Sequence, residues 1–360
     1  MKHEPIYYGD YLKLDSLLDS QRLKSVEHKN PAHDEMLFII THQAYELWFK
    51  QILHEIDSIH DIFSEDTIAP DKISIVNYRL NRVNEIQKIL NAQIKVIETM
   101  TPMDFMDFRD YLVPASGFQS MQFRLIELKL GLREKSRTNM AQKFFNSRLS
   151  KSDQEMLIKL ESTPTLLELV DKWLSRMPFT ESRNYDFWKQ YQDAVDKMLQ
   201  SDKDVIMANP TLSDTQKEME MKNFESTKET FKILFDKEKY DKMLEAGEIS
   251  LSQKAKFSAI FISLYRHEPI FQLPYRLINH LIEVDELFTT WRYQHSIMVH
   301  RMLGSKIGTG GSSGHDYLKK AADNNKIFKD FFDMATYLIP NAHLPQLPDN
   351  LKQNLGFIYE

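Results

Sequence analysis

Apolar residues recur at intervals of three and four along most of the chain, the spacing of amphipathic helices. From Met36 to Phe63 one seam collects Phe38, His42, Tyr45, Phe49, Ile52, Ile56, Ile59 and Phe63. From about Ile73 to Met100 another holds Val76, Leu80, Val83, Leu90, Ile94 and Ile97. A very long segment, about Leu273 to Leu303, carries Leu277, Leu281, Val284, Phe288, Trp291, His295, Met298 and Met302 at spacings of four and three. Thr101-Pro102-Met103-Asp104 reads as a helix start: a capping threonine, proline at the first helical position and an acid three residues after the cap. A further helix is expected from near Phe118 to Gly131. No alternating runs joined by hairpin turns occur, so the expected class is all-α, a helical bundle.

Between about Asp196 and Leu244 the pattern thins. About two residues in five are charged, and apolar positions reduce to Phe224, Phe231, Leu234 and Phe235. That composition fits a small, solvated helical insert, 196–251, within a main helical domain of residues 36–195 and 252–360. The stretch Ile339–Pro345 is expected to lie as an extended tail over the surface.

Composition narrows the chemistry. The 360 residues are 42% hydrophobic and 27% charged, which excludes a disordered chain. With 46 basic and 52 acidic residues the net charge is −6, which is not the basic footprint of a nucleic-acid binder. There is no cysteine, so thiolate nucleophiles, zinc–cysteine sites and iron–sulfur clusters are excluded. Without a signal-like N-terminus or a run of some 18 apolar residues, a soluble cytosolic protein with no membrane partner is expected.

Three features exceed the needs of a plain bundle. His295 lies in line with the most buried positions of its helix, as a core histidine or as the single protein ligand of a haem iron. His300 cannot share a metal with it, because five residues rotate the helix by roughly 500° and leave the two side chains about 140° apart. His42 sits similarly near the start of its own seam, and two such histidines on separate helices could flank one planar cofactor. Arg109 shares a face with Phe105, Phe108 and Leu112, where a guanidinium needs an anion: an internal carboxylate or that of a ligand. Finally, five of the ten glycines lie between Gly304 and Gly314, directly after the His295 helix. The sequence Gly308-Thr309-Gly310-Gly311-Ser312-Ser313-Gly314 lacks the lysine of a phosphate-binding loop, and suits a backbone that approaches a ligand closely. Competing readings are a non-haem metal site of His33, Glu35 and His42, and a non-catalytic helical scaffold.

Taken together, Tyr8-Gly-Asp-Tyr11-Leu-Lys-Leu, His33-Asp-Glu-Met-Leu-Phe-Ile-Ile-Thr-His42-Gln-Ala-Tyr-Glu-Leu-Trp48, Phe108-Arg109-Asp-Tyr-Leu-Val-Pro-Ala-Ser116-Gly-Phe-Gln-Ser120, Trp291-Arg-Tyr-Gln-His295 and the glycine loop resemble the tryptophan 2,3-dioxygenase family over essentially the whole chain. The resemblance implies an enzyme that opens the indole pyrrole ring of L-tryptophan with dioxygen, giving N-formyl-L-kynurenine at the head of the kynurenine pathway. It implies haem b, ferrous in the active form, with His295 as axial ligand of the iron.

The same resemblance implies the other roles. His42 matches the distal histidine facing the indole N–H, Phe38 a wall of the indole pocket, and Arg109 the residue that binds the substrate carboxylate. Thr309 matches a contact to the substrate's ammonium and carboxylate, and Ser116 and Gly117 a turn close to the haem. Tyr8 and Tyr11, within an N-terminal segment 1–35, match tyrosines that reach a neighbouring subunit's site, which implies a homotetramer with shared pockets. Phe105 stands where bacterial members carry a carboxylate-touching tyrosine and animal members a phenylalanine. The resemblance is therefore to the animal branch, and Arg109 carries more of the carboxylate binding.

Overall fold

The computed structural model describes residues 3–133, 151–177, 187–304, 306, 318–319 and 322–355, and among them it holds helices and no strand. Short helices α1 (Tyr8–Leu12), α2 (Leu14–Leu18) and α3 (Lys24–Glu27) lead into the long α4 (Glu35–Phe63) and α5 (Pro70–Ile97). Next come α6 (Pro102–Arg109), α7 (Met121–Leu130), α8 (Lys151–Glu161) and α9 (Leu166–Leu174). The remainder is α10 (Phe187–Ala208), α11 (Asp214–Phe235), α12 (Lys237–Ala246), α13 (Gln253–Leu264), α14 (Gln272–Leu303), α15 (Lys329–Phe332) and α16 (Asp349–Leu355).

Local chemistry accounts for the helix starts. At α6 the Asp104 amide donates to Thr101 Oγ1 (3.3 Å) and the Thr101 amide donates to Asp104 Oδ2 (3.0 Å), the reciprocal box expected from the sequence. Thr165 with Glu168 and Ser213 with Gln216 repeat the device at α9 and α11. Helix α7 begins three residues later than expected, because Ser120 takes the cap by accepting from the Phe123 amide at 3.2 Å.

The centre is a three-helix layer of α4, α5 and α14. Helices α4 and α5 run antiparallel: Tyr45 Oη donates to Leu90 O (2.8 Å), Gln93 Nε2 donates to Thr41 O (2.9 Å), and Arg82 pairs with Glu55 at the other end (2.8 Å). Helices α5 and α14 run parallel, since side chains of Asn77, Asn84 and Asn91 reach Leu273 O, His280 O and Leu287 O in order. The packed seams are those read from the sequence. Ile52, Ile56 and Ile59 of α4, Val76 and Val83 of α5, and Leu277, Leu281 and Val284 of α14 are fully buried.

The position 195/196 falls inside the continuous helix α10, whose first half buries Phe187, Tyr191, Ala194 and Val195. Phe224, Phe231, Leu234 and Tyr240 join the same hydrophobic core as Phe261 and Phe271. The stretch Ile339–Pro345 lies largely at the surface: 340–343 are exposed and Ile339 is buried, with a 3-10 turn at Asn341–His343 where an extended run was expected. Beyond it Leu347, Leu351 and Leu355 are buried in that core, and Tyr265 Oη donates to Pro345 O at 2.6 Å. Leu347, Leu351 and Leu355 recur every four residues, a helical spacing that begins only after Pro340 and Pro345 and spans barely two turns.

Candidate functional site

One end of the three-helix layer is open. The α14 seam is closed from Leu277 to Phe288 and closed again at Met302, whereas Trp291, His295 and Met298 between them are only half-buried. The α4 seam is sealed from Tyr45 onward, but Phe38 is half-buried and His42 is exposed. Because α4 runs opposite to α5 and α14, the start of α4 and the end of α14 meet at the same place.

Helix α6 supplies the third wall. Its Phe105 and Phe108 rings lie 5.7 and 5.5 Å from the Phe38 ring and 5.4 Å from each other. Met298 and Met302 pack on this cluster, as do Ala32 and Met100. Thus Phe38, His42, Phe105, Arg109 and His295, spread over some 260 residues of sequence, belong to one neighbourhood built by α4, α6 and α14. Arg109 ends α6 at 18% exposure, with Nη1 3.7 Å from the carboxylate of Asp110, itself 87% exposed.

His295 senses His42. Burial pushes the His295 imidazole down to about 4, with the charge on His42 as the second cause. Surrounding protein likewise lowers His42, opposed by its bond to Phe38. Both rings are therefore neutral at pH 7 and carry a lone pair. His42 Nδ1 lies 2.7 Å from Phe38 O. A carbonyl only accepts, so Nδ1 carries the proton and Nε2 is left as an acceptor. His295 stacks on Trp291, ring centroids 5.0 Å apart and 15° from parallel, and Trp291 in turn meets Phe123 of α7 at 5.2 Å.

Ser116 and Gly117 lie in the turn leading into α7, where the Ser116 amide donates to Gln119 Oε1 at 3.2 Å. A Cβ added at Gly117 would meet nothing within 4 Å, so this turn borders open space. Tyr8 and Tyr11 stand out on α1, 75% and 70% exposed. Thr309 and the glycine loop lie outside the described residues. Residues 325–328, on the C-terminal side of that loop, are firmly held. Asp285 accepts from the amides of Ile327 (2.9 Å) and Phe328, and Arg292 donates to Asn325 O (2.8 Å) and to Glu127 (2.8 Å).

The donor set fits a haem better than a protein-ligated metal. Among the described residues no three His, Asp or Glu side chains gather to hold an ion. Glu35 is fully buried and engaged, accepting from the Lys24 amide (2.7 Å), the Ser25 amide (2.9 Å) and Ser25 Oγ (2.5 Å), while His33 is exposed. The triad His33, Glu35 and His42 is thereby ruled out. A lone neutral imidazole suits an iron whose other in-plane ligands come from a porphyrin. His295 Nδ1 is buried without a hydrogen-bond partner, and the ring takes its orientation from stacking on Trp291. The sequence had not revealed the burial of Glu35, whose signal was its place one turn before Phe38.

Residues 2–338 match the family described as tryptophan 2,3-dioxygenase. The protein of that name from Alteromonas mediterranea is 50% identical over 354 residues, 98% of either chain. That of Dictyostelium discoideum is 50% identical over 357 residues, covering 98% of this chain and 89% of the relative. That of Xenopus laevis is 44% identical over 352 residues, covering 97% and 86%. Similarity over the whole chain is no greater to the frog protein than to the bacterial one, so the animal-branch expectation rests on Phe105.

Proposed function

The chain belongs to the tryptophan 2,3-dioxygenase family, and from that premise we propose how its own residues carry the reaction. The enzyme is haem-dependent and cleaves the pyrrole ring of L-tryptophan with dioxygen to N-formyl-L-kynurenine, the entry to the kynurenine pathway. The observation that carries the site assignment is the convergence of two neutral histidines from α4 and α14 at the open end of the bundle.

His295 would hold the haem iron, with Ser116 and Gly117 lining the haem edge. Haem, when bound, supplies the dioxygen chemistry. The rest is positioning. The indole lies against Phe38 and Phe105, with its N–H donating to His42 Nε2. The Phe38 carbonyl fixes the tautomer that makes this possible, so one residue contributes both the pocket wall and the orientation of the acceptor. Arg109 takes the substrate carboxylate as a two-pronged donor, and Thr309 contacts the ammonium and carboxylate. Together these hold the reacting double bond in a single pose and exclude water from it. His42 orients rather than deprotonates, since the indole N–H is a very weak acid and a neutral imidazole gains little by taking that proton early.

The N-terminal segment 1–35 supports the finer reading of a homotetramer; a cytosolic location belongs to the same proposal. Ile6, Tyr7, Tyr8 and Tyr11 are each at least 67% exposed, an apolar arm suited to completing a neighbouring subunit's pocket through Tyr8 and Tyr11. Residues 196–251 form the insert on the main domain in this reading.

The test is the pH dependence of tryptophan turnover. Protonation of His42 removes the acceptor, and its pKa is lowered from 6.5. Activity is thus retained at neutral pH and lost on acidification, with the midpoint of kcat/KM below 6.5. His42→Ala is expected to remove that limb and lower kcat/KM about tenfold, the size of one neutral hydrogen bond. A midpoint above 6.5, or a limb unchanged in the variant, contradicts the assignment.

A further inference from the structure

Between α5 and α14 the hydrogen bonds form a ladder. Asn77 Nδ2 donates to Leu273 O (3.2 Å), Asn84 Nδ2 to His280 O (3.2 Å) and Asn91 Nδ2 to Leu287 O (3.1 Å). Donors and acceptors both advance by seven residues, and every rung links positions 196 apart. Asn77 and Asn91 also donate to carbonyls of their own helix, Ile73 O (2.8 Å) and Gln87 O (3.0 Å). On the acceptor side, the carbonyls of His280 and Leu287 immediately precede Leu281 and Phe288, and one heptad further the same series reaches His295.

The ladder is costly. Asn77, Asn84 and Asn91 each bury an Oδ1 that has no hydrogen-bond partner. An unsatisfied buried carbonyl destabilises, and leucine at the same positions would fill similar space without that penalty. What the asparagines provide is register. The apolar seam of α14 repeats Leu277, Val284, Trp291 and Met298 beside Leu281, Phe288, His295 and Met302, and leucine-like side chains tolerate small sliding and turning of one helix on the other. Three carbonyl rungs at 3.1–3.2 Å tolerate much less: a shift of one residue moves α14 by about 1.5 Å and rotates it by about 100°, which strands every rung at once. A polar residue at a seam position fixing alignment at the expense of stability is the established behaviour of asparagine in paired helices.

We propose that Asn77, Asn84 and Asn91 are positioning residues for the reaction, setting the height and rotation of α14 against α5 and so the place of His295 at the haem. The link to haem rests on the assignment of His295 as the axial ligand; the register itself does not.

The experiment replaces all three by leucine and reads stability and iron separately. The melting temperature of the triple Asn→Leu variant is expected to be unchanged or higher. The haem-loaded triple variant is expected to show a broadened or split ferrous iron–imidazole band, with kcat lowered at least tenfold. A lower melting temperature would make the asparagines stabilising groups and overturn the proposal, as would a native band. Retention of the band in His295→Gly, with the ladder intact, would show instead that another residue is the axial ligand and that the assignment of His295 has failed.

Discussion

Substitution of His295 by alanine is expected to give a folded protein that no longer binds haem. The fold survives because α14 is held elsewhere: Leu277, Leu281, Val284 and Phe288 are at most 2% exposed, and Asp285 and Arg292 fasten the helix to residues 325–328 and to Glu127. His295 itself contributes little to the core, being half-buried with one nitrogen unpartnered. If His295 is the proposed axial ligand, its removal leaves the iron without that ligand, and activity is expected to fall below detection. Helix content by circular dichroism is expected to match the unsubstituted chain while the Soret band is lost. Imidazole added to His295→Gly is expected to restore part of the band. A normal five-coordinate spectrum in the alanine variant would place the ligand elsewhere.

Arg109→Ala is expected to raise the KM for L-tryptophan by roughly 30- to 1000-fold, from the loss of about 2–4 kcal/mol of a charge-assisted, desolvated contact. Phe105 offers no hydroxyl to share the carboxylate, so in the proposed site Arg109 bears most of this binding. The proposed clamp does not touch the haem, and the Soret band is expected to stay intact. Selectivity moves with it. The clamp predicts that tryptamine, which lacks the carboxylate, binds the unsubstituted enzyme poorly, whereas the alanine variant is expected to discriminate far less between tryptophan and tryptamine. Arg109→Lys retains the charge but not the two-pronged geometry, and an intermediate KM is expected. An unchanged KM in Arg109→Ala would remove the carboxylate clamp.

The long helices were legible because their seams repeat without interruption over seven or more turns: α4 begins one residue before the expected Met36, and α14 ends at the expected Leu303. The α6 start was legible down to its hydrogen bonds, since threonine, proline and aspartate each have one use in that order. Burial of Leu347, Leu351 and Leu355 was not, because their spacing of four runs for barely two turns beyond Pro345. Nor was the asparagine ladder. Asn77, Asn84 and Asn91 read as a polar interruption of the α5 seam until α14 is laid beside it, although their spacing of seven was in plain view. For the site, sequence supplied the inward faces of His42, His295 and Arg109, each with a bland alternative. Their convergence depends on α4 running against α5 and α14, a topological fact with no local signature.

The most direct test of the central claim is a single reaction. The haem-supplied protein is reduced, L-tryptophan is added in air, and N-formyl-L-kynurenine is followed alongside the Soret band. The expected result is product together with a Soret band that shifts saturably with tryptophan. A Soret band without product would contradict the substrate assignment, and a folded, haem-supplied sample with neither would contradict the haem site formed by α4, α6 and α14.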